Sequence, residues 1–131
     1  MTDKQSFGEV GEELASRYLM DNGYQLLQRN WRSGHHEVDI IAEFHGMVVF
    51  VEVKARKDEN FLPAWVAVDK HKKKNLSLAA QQYMSANKLT DNPLRFDVIT
   101  VVGEGEPYRL THIKAAFEME KTVTNAYTSR W

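Results

Sequence analysis

The stretch "EVDIIAEFHGMVVFVEVKAR", Glu37 to Arg56, decides how the chain folds. Val48 to Val51 with Val53 read as a strand buried on both faces, yet Glu52 and Lys54 stand inside the same run. Side chains alternate along a strand, so Phe50, Glu52 and Lys54 share one face and Val49, Val51 and Val53 the other. In the preceding run Glu37, Asp39 and Ile41 fall on one side, and Val38, Ile40 and Ala42 on the opposite side. His45 and Gly46 suit a two-residue hairpin turn, with glycine taking the positive φ that such a turn needs. Phe44 then pairs with Met47, which sets Asp39 opposite Glu52, Glu37 opposite Lys54 and Ile41 opposite Phe50. A slip of one residue would put Asp39 and Glu52 on opposite faces.

Two carboxylates facing each other repel, and drying them increases the repulsion, so the pair needs a cation between them or a proton on one of them. Magnesium takes one or two protein carboxylates and leaves its other positions for water and substrate phosphate, which points to a phosphodiester-cleaving site. The competing reading of Glu52 and Lys54 is a solvated edge strand with a surface salt bridge. The apolar run on both sides of them favours a central strand, where charges need a partner or a task.

Composition narrows the classes. The chain has 131 residues, 43% hydrophobic and 27% charged, which suits one soluble globular domain over 1–131. With no cysteine, disulfides and thiolate zinc sites are excluded, and oxygen or imidazole ligands remain for any metal. The first twenty residues lack an apolar core of the secretory kind and no run is long enough to cross a bilayer, so a cytoplasmic location is expected. Seventeen Lys plus Arg against eighteen Asp plus Glu give a net charge of −1. Nucleic acid would therefore have to meet a local basic patch.

Upstream, about Ser6 to Asp21 reads as an amphipathic helix through Phe7, Val10, Gly11, Leu14 and Tyr18, ended by Asn22 and Gly23. Gly8, Glu12, Ala15 and Leu19 form a stripe at the border of its apolar face, where Gly8 and Ala15 would let Glu12 approach the sheet. Glu9 and Glu13 turn towards solvent. Tyr24 to Trp31 reads as a strand and "RSGHH" as a loop. Downstream, Ala55 to Ala64 is a polar loop, about Val68 to Asn87 a helix, "LRFDVITVV" a strand, and "YRLTHIKAAF" a strand with a short helical end. Residues 118–131 lack apolar periodicity and read as a tail. The order predicts an α/β fold with helices packed on the faces of a mixed sheet of about five strands.

"DKHKKK", Asp69 to Lys74, places Lys70, Lys72, Lys73 and Lys74 in the first turns of the second helix, and Arg56 and Lys57 follow the charged strand. A charge run is usually a solvated helix face. A helix N-terminus, however, disfavours lysine and attracts phosphate, so a phosphate-tracking surface is the functional reading. Trp31 reads as a core aromatic in preference to a base-stacking platform, and His35 and His36 as solvent-facing residues of a polar loop in preference to metal ligands.

Glu12 on an N-terminal helix, then Asp39, then Glu52-Val53-Lys54 resembles the active-site pattern of the PD-(D/E)XK nuclease superfamily, in the arrangement of archaeal-type Holliday-junction resolvases. More closely, "GEVGEELASRYL", "NWRSGHHEVDII", "VVFVEVKAR" and "RFDVITV" resemble the YraN family of small bacterial proteins without an assigned role. The resemblance covers about Phe7 to Val102. It implies a restriction-endonuclease-like three-layer core, with Asp39, Glu52 and the Val53 carbonyl as Mg2+ or Mn2+ ligands and Glu12 completing the acidic cluster directly or through a bound water. It implies that Lys54 orients the attacking water and stabilises developing charge, and that Lys70 or Lys73 points back at the site. It further implies DNA, branched DNA included, as substrate, and a two-fold dimer suited to a four-way junction. His36 departs from the family pattern, which usually has glycine there. That departure and the near-neutral charge keep open a second reading, a non-catalytic nucleic-acid-binding module that retains the fold. Glu37 reads either as a partner of Lys54 or as a second acidic contact.

Overall fold

The structure is a computed structural model that describes residues 6–58 and 70–119. Helix α1, Phe7–Asp21, starts where Ser6 can cap it. The Ser6 hydroxyl accepts the Glu9 N–H at 3.1 Å and the Glu9 carboxylate accepts the Ser6 N–H at 2.9 Å, a reciprocal box that satisfies two otherwise orphaned donors. Strands β1 (Gln25–Ser33), β2 (His36–Phe44) and β3 (Met47–Arg56) follow as an antiparallel meander. Helix α2, Lys70–Ala86, leads to β4 (Leu94–Val102), which lies parallel to β3, and β5 (Arg109–Phe117) closes the sheet antiparallel to β4. The sheet order is β1-β2-β3-β4-β5.

Among the described residues, each face of the sheet carries one helix. On one side α1 buries Ala15 and Leu19 against Ile40, Ala42, Val49, Val51, Ile99 and Val101. On the other, α2 buries Leu76, Ala79, Ala80, Tyr83 and Met84 against Val38, Ile41, Val48, Phe50 and Phe96. Strand β3 is therefore covered on both faces, which is why its sequence is apolar without alternation. This layered mixed sheet is consistent with a restriction-endonuclease-like core.

The hairpin register expected from the turn is observed from Phe44↔Met47 to Ile40↔Val51. His45 and Gly46 have φ of 50° and 85°, the left-handed pair that matches the twist of the flanking strands.

Several expectations change. The segment read as a loop at "RSGHH" is mostly strand, with β1 reaching Ser33 and β2 starting at His36. The end of β5 stays extended to Phe117 and has no helical turn; a register shift opposite Phe96/Val98 and a φ of 52° at Ala115 absorb the irregularity there. The buried stripe of α1 is Gly11, Ala15, Ser16 and Leu19, rotated from the one expected, because the helix leans on β3 through Gly11. A Cβ at Gly11 would stand 3.0 Å from the Ala55 Cβ, whereas Gly8 is exposed and a Cβ there would come no closer than 3.9 Å to the Ser6 hydroxyl. Gly11, not Gly8, provides the close approach. The end of the expected tail and the start expected for the second helix lie outside the described residues.

Candidate active site

Strands β2 and β3 run as a ladder only as far as Ile40↔Val51. Beyond that pair they part, and the Asp39 Oδ2 accepts the Val53 N–H at 2.8 Å in place of a strand carbonyl. On the other edge of β2 the ladder goes from Arg29↔Ile40 to Trp31↔Val38 and passes over Asn30 and Asp39, with Asn30 at φ 51°. Val38 packs in the core under α2 while Ile40 packs under α1. Residues two apart on a regular strand share a face, so β2 rolls over at Asp39. This corrects the expectation that Val38 and Ile40 look the same way. Asp39 sits at the roll, between the two layers.

Glu52 is 7% exposed. Its Oε2 lies 3.3 Å from the Lys54 Nζ, its neighbour on the same face of β3, and 3.5 Å from the Lys72 Nζ on the first turn of α2. The lysine that reaches the site from the helix is Lys72 and not Lys70 or Lys73. Lys70 and Lys74 are exposed and Lys73 is half-buried. A sequence signal for this existed, because Lys72 lies one turn before Leu76, the first residue of the buried stripe.

Burial, and after it the charge of Glu52, push the Asp39 carboxyl up to about 7; the Val53 N–H and Lys72 act in the opposite direction. Glu12 of α1 also contributes to that rise. Burial raises the Glu12 carboxyl in turn, opposed by a side-chain hydrogen bond from Asn30 and the charge of Arg29. The structure thus brings Glu12, Asp39, Glu52, Lys54 and Lys72 to the place where β2 and β3 separate. It does not bring Glu37 to Lys54: Glu37 pairs with Arg32 at 3.4 Å, because the ladder that would have set it opposite Lys54 ends at Ile40. Arg56 turns its Nη1 onto the Ala55 carbonyl at 2.8 Å, and Lys57 is exposed beyond the end of β3. Trp31 packs edge-on against Tyr83, with ring centroids 5.4 Å apart, as a core aromatic.

The fit to a divalent cation can be tested on the donors. They are oxygens, which suits a hard ion. Among the described residues, no group of three or more His, Cys, Asp or Glu side chains could hold an ion by itself. A cation here would rest on the Asp39 and Glu52 carboxylates and take its other positions from the Val53 carbonyl, water or phosphate, a division that magnesium accepts and a closed structural site would not. The raised Asp39 carboxyl agrees with this, since a facing divalent charge relieves that strain.

Sequence reading missed a second polar cluster, on the α1 side of β4. The Asp97 side chain is fully buried and receives Arg95 through Nε at 2.8 Å and Nη2 at 2.7 Å, His112 Nε2 at 2.7 Å and the Ala115 N–H at 3.0 Å. Arg95 also donates to the Tyr24 hydroxyl at 2.8 Å, and His112 Nδ1 meets the Tyr18 hydroxyl at 3.0 Å.

The model of uncharacterised protein family UPF0102 matches residues 11–101, more than half of the chain. The chain belongs to the UPF0102 family. It is 44% identical over 117 residues to a UPF0102 protein of Bacteroides thetaiotaomicron, an alignment that covers 89% of this chain and 96% of the relative. A UPF0102 protein of Phocaeicola vulgatus is 39% identical over the same shares. Among solved structures, the crystal structure of SSO0001 aligns over 92% of this chain and 56% of its own, at 15% identity and a TM-score of 0.40. The UPF0102 match spans α1 to β4, and so includes every residue of the candidate site. No helix among the described residues is long and apolar enough to cross a membrane.

Proposed function

We propose that this UPF0102 protein is a metal-dependent nuclease that hydrolyses phosphodiester bonds in structured or branched DNA. The observation that carries the reading is the meeting of Asp39, Glu52 and Lys54 where β2 and β3 part, with Asp39 pinned by the Val53 N–H. Asp39 and Glu52, with the Val53 carbonyl, would hold Mg2+ or Mn2+. When bound, such an ion lowers the pKa of water and polarises the phosphoryl oxygens. The chain's own groups do the rest. The Lys54 ammonium lies 3.3 Å from Glu52, from where it would orient a water and stabilise the negative charge that develops on the phosphoryl oxygens. Lys72 brings a second positive charge to the same place, and Glu12 adds a third carboxylate. Lys70, Lys73, Lys74, Arg56 and Lys57 supply the basic surface along which a phosphate backbone would run.

Cleavage of four-way-junction, flapped and linear DNA in Mg2+ and in Mn2+ tests the reading, with Asp39→Asn and Glu52→Gln as controls. Metal-dependent products that vanish in both variants support it. A folded wild-type protein that cuts none of these substrates, or products that persist in the variants, would sink it.

One observation favours a second reading, a nucleic-acid-binding module without cleavage. Glu52 already has two lysine ammonium groups within 3.5 Å, so the cluster can neutralise itself without a metal. That reading expects DNA binding that survives Asp39→Asn and weakens when Lys72, Lys73 and Lys74 are neutralised.

A further inference from the structure

Two adjacent residues of β1 reach the acidic end of the site, and packing of the core accounts for neither. Arg29 lays its guanidinium between two carboxylates of α1, with Nη1 3.1 Å from the Glu13 Oε1 and Nη2 3.9 Å from the Glu12 Oε1. Asn30 takes φ 51° in mid-strand, a left-handed conformation that costs a non-glycine residue on the order of 1 kcal/mol and that asparagine tolerates better than most. Its side-chain amide lies near the Glu12 carboxyl and favours the ionised form. This is the position at which the β1–β2 ladder passes over Asn30 and Asp39, so the strained residue stands beside the roll that presents Asp39.

Glu12 needs such restraint. Glu9 and Glu37 repel it and it repels Asp39, and a glutamate side chain on a helix can swing towards water to escape like charges. Its side chain is nevertheless only 18% exposed.

We propose that Arg29 and Asn30 form a brace that fixes the Glu12 carboxylate towards Asp39, which makes both of them positioning residues of the metal site. The proposal rests on the reading of Asp39 and Glu52 as metal ligands. Glu13 anchors the guanidinium from the far side at the shorter distance, so Arg29 restrains Glu12 without pairing with it alone. Asn30 is uncharged and holds the carboxylate without cancelling its charge. The planar fork of arginine spans two carboxylates, which a lysine ammonium at the same place does not.

Calorimetric titration of the full chain with Mn2+ tests the brace without relying on activity. Asn30→Gly is compatible with the left-handed backbone and removes the side chain with its amide. Outer partners of metal ligands typically change affinity by about tenfold or more. Asn30→Gly is expected to weaken Mn2+ binding by about tenfold, and by less than about twofold once Glu12→Gln is present, because the two changes then remove the same interaction. Arg29→Gln is expected to behave in the same way, which guards against a single variant that folds poorly. Equal weakening with and without Glu12, or unchanged binding in both β1 variants, overturns the brace and leaves the site reading intact. A wild-type protein that binds no Mn2+ overturns the site reading, and the brace with it.

Discussion

Asp39 and Val53 meet where β2 and β3 stop pairing, and the Asp39 Oδ2 takes the Val53 N–H at 2.8 Å. A backbone amide at the end of a ladder must find an acceptor, and a carboxylate from the departing strand supplies it. The same contact holds the carboxylate in one orientation close to Glu52. Preorganisation of this kind opposes folding stability, since burial and the facing Glu52 push Asp39 up to about 7.

Stability should therefore depend on pH through Asp39. An unfolded aspartate releases its proton near 3.8, whereas the folded protein keeps it until about 7. Between those values the folded state binds more protons, so stability falls as pH rises and levels off above the upper value. Asp39→Asn keeps an acceptor for Val53 and removes the charge. It is expected to stabilise the fold by on the order of 1–3 kcal/mol at pH 8, to change it little at pH 4, and to abolish Mn2+ binding. Urea unfolding at the two pH values measures this. A variant less stable than wild type at pH 8 would contradict the electrostatic account of the site.

Lys72 and a bound cation compete for the same carboxylate. The Lys72 Nζ lies 3.5 Å from the Glu52 Oε2, and even at the dielectric of bulk water, a lower bound for this half-buried lysine, removing that charge is worth about 1 kcal/mol. Lys72→Met is expected to raise Mn2+ affinity by about three- to tenfold. Lys73→Met and Lys74→Met should leave metal affinity unchanged, weaken DNA binding, and reduce the slope of its salt dependence by about one each. A fall in Mn2+ affinity on Lys72→Met would show that the lysine supports the ion and does not oppose it.

The contact that lets α1 deliver Glu12 is Gly11 against Ala55. Gly11→Val drives a Cβ and its two methyl groups against a strand that is already close, and overpacking of this kind costs about 1–3 kcal/mol. Mn2+ affinity should fall as well, because Glu12 is the next residue on the helix. Gly11→Ala combined with Ala55→Gly exchanges the two methyl positions and is expected to recover most of the stability lost in Gly11→Ala alone. Thermal unfolding of the three variants decides the matter, and an equally stable Gly11→Val would show that the helix does not rest on this contact.

Much of this architecture was legible in local patterns. The turn at His45 and Gly46, with the two-residue period on either side, sets the register that brings Asp39 towards Glu52. The three- and four-residue spacing of Phe7, Val10, Gly11, Leu14 and Tyr18, with the stop at Asn22 and Gly23, marks α1. What could not be read depends on contacts between segments distant in sequence. The roll of β2 is tied to a left-handed Asn30; asparagine tolerates that conformation, but an asparagine inside a strand pattern does not by itself call for it. Glu37 misses Lys54 because the ladder ends three pairs short of the one that the extrapolated register would give them. Besides Arg95, which lies within "RFDV" itself, the partners of Asp97 are His112 and Ala115 of β5, brought in through a bulge at Ala115, so "RFDV" taken alone reads only as the start of a strand.

Asp97 should carry more of the folding stability than any residue of the candidate site. Burial by itself would push its carboxyl up, but the donors from His112, Arg95 and Ala115 outweigh it and hold the carboxyl below the ordinary carboxylate range. A group depressed in this way contributes stability that is complete above its unfolded value of 3.8 and is lost as pH falls through the lower folded value. Asp97→Asn leaves the Arg95 guanidinium without its counter-charge and turns an acceptor into a donor facing other donors. The expected loss is about 3–5 kcal/mol, the usual result of removing one partner from a buried ion pair. His112→Gln, which keeps a donor of similar reach but not the ring that packs edge-on against Tyr18, should cost less, about 1–2 kcal/mol. Urea unfolding at pH 6 and pH 3 separates the two effects: the wild type loses stability on acidification, and Asp97→Asn lacks that component of the loss. Wherever the variants remain folded, Mn2+ affinity should be unchanged, since this cluster lies on the α1 face of β4 and Glu52 turns towards α2. A loss below about 1 kcal/mol in Asp97→Asn would mean that the four donors gathered on this carboxylate do not hold β4, β5 and α1 together.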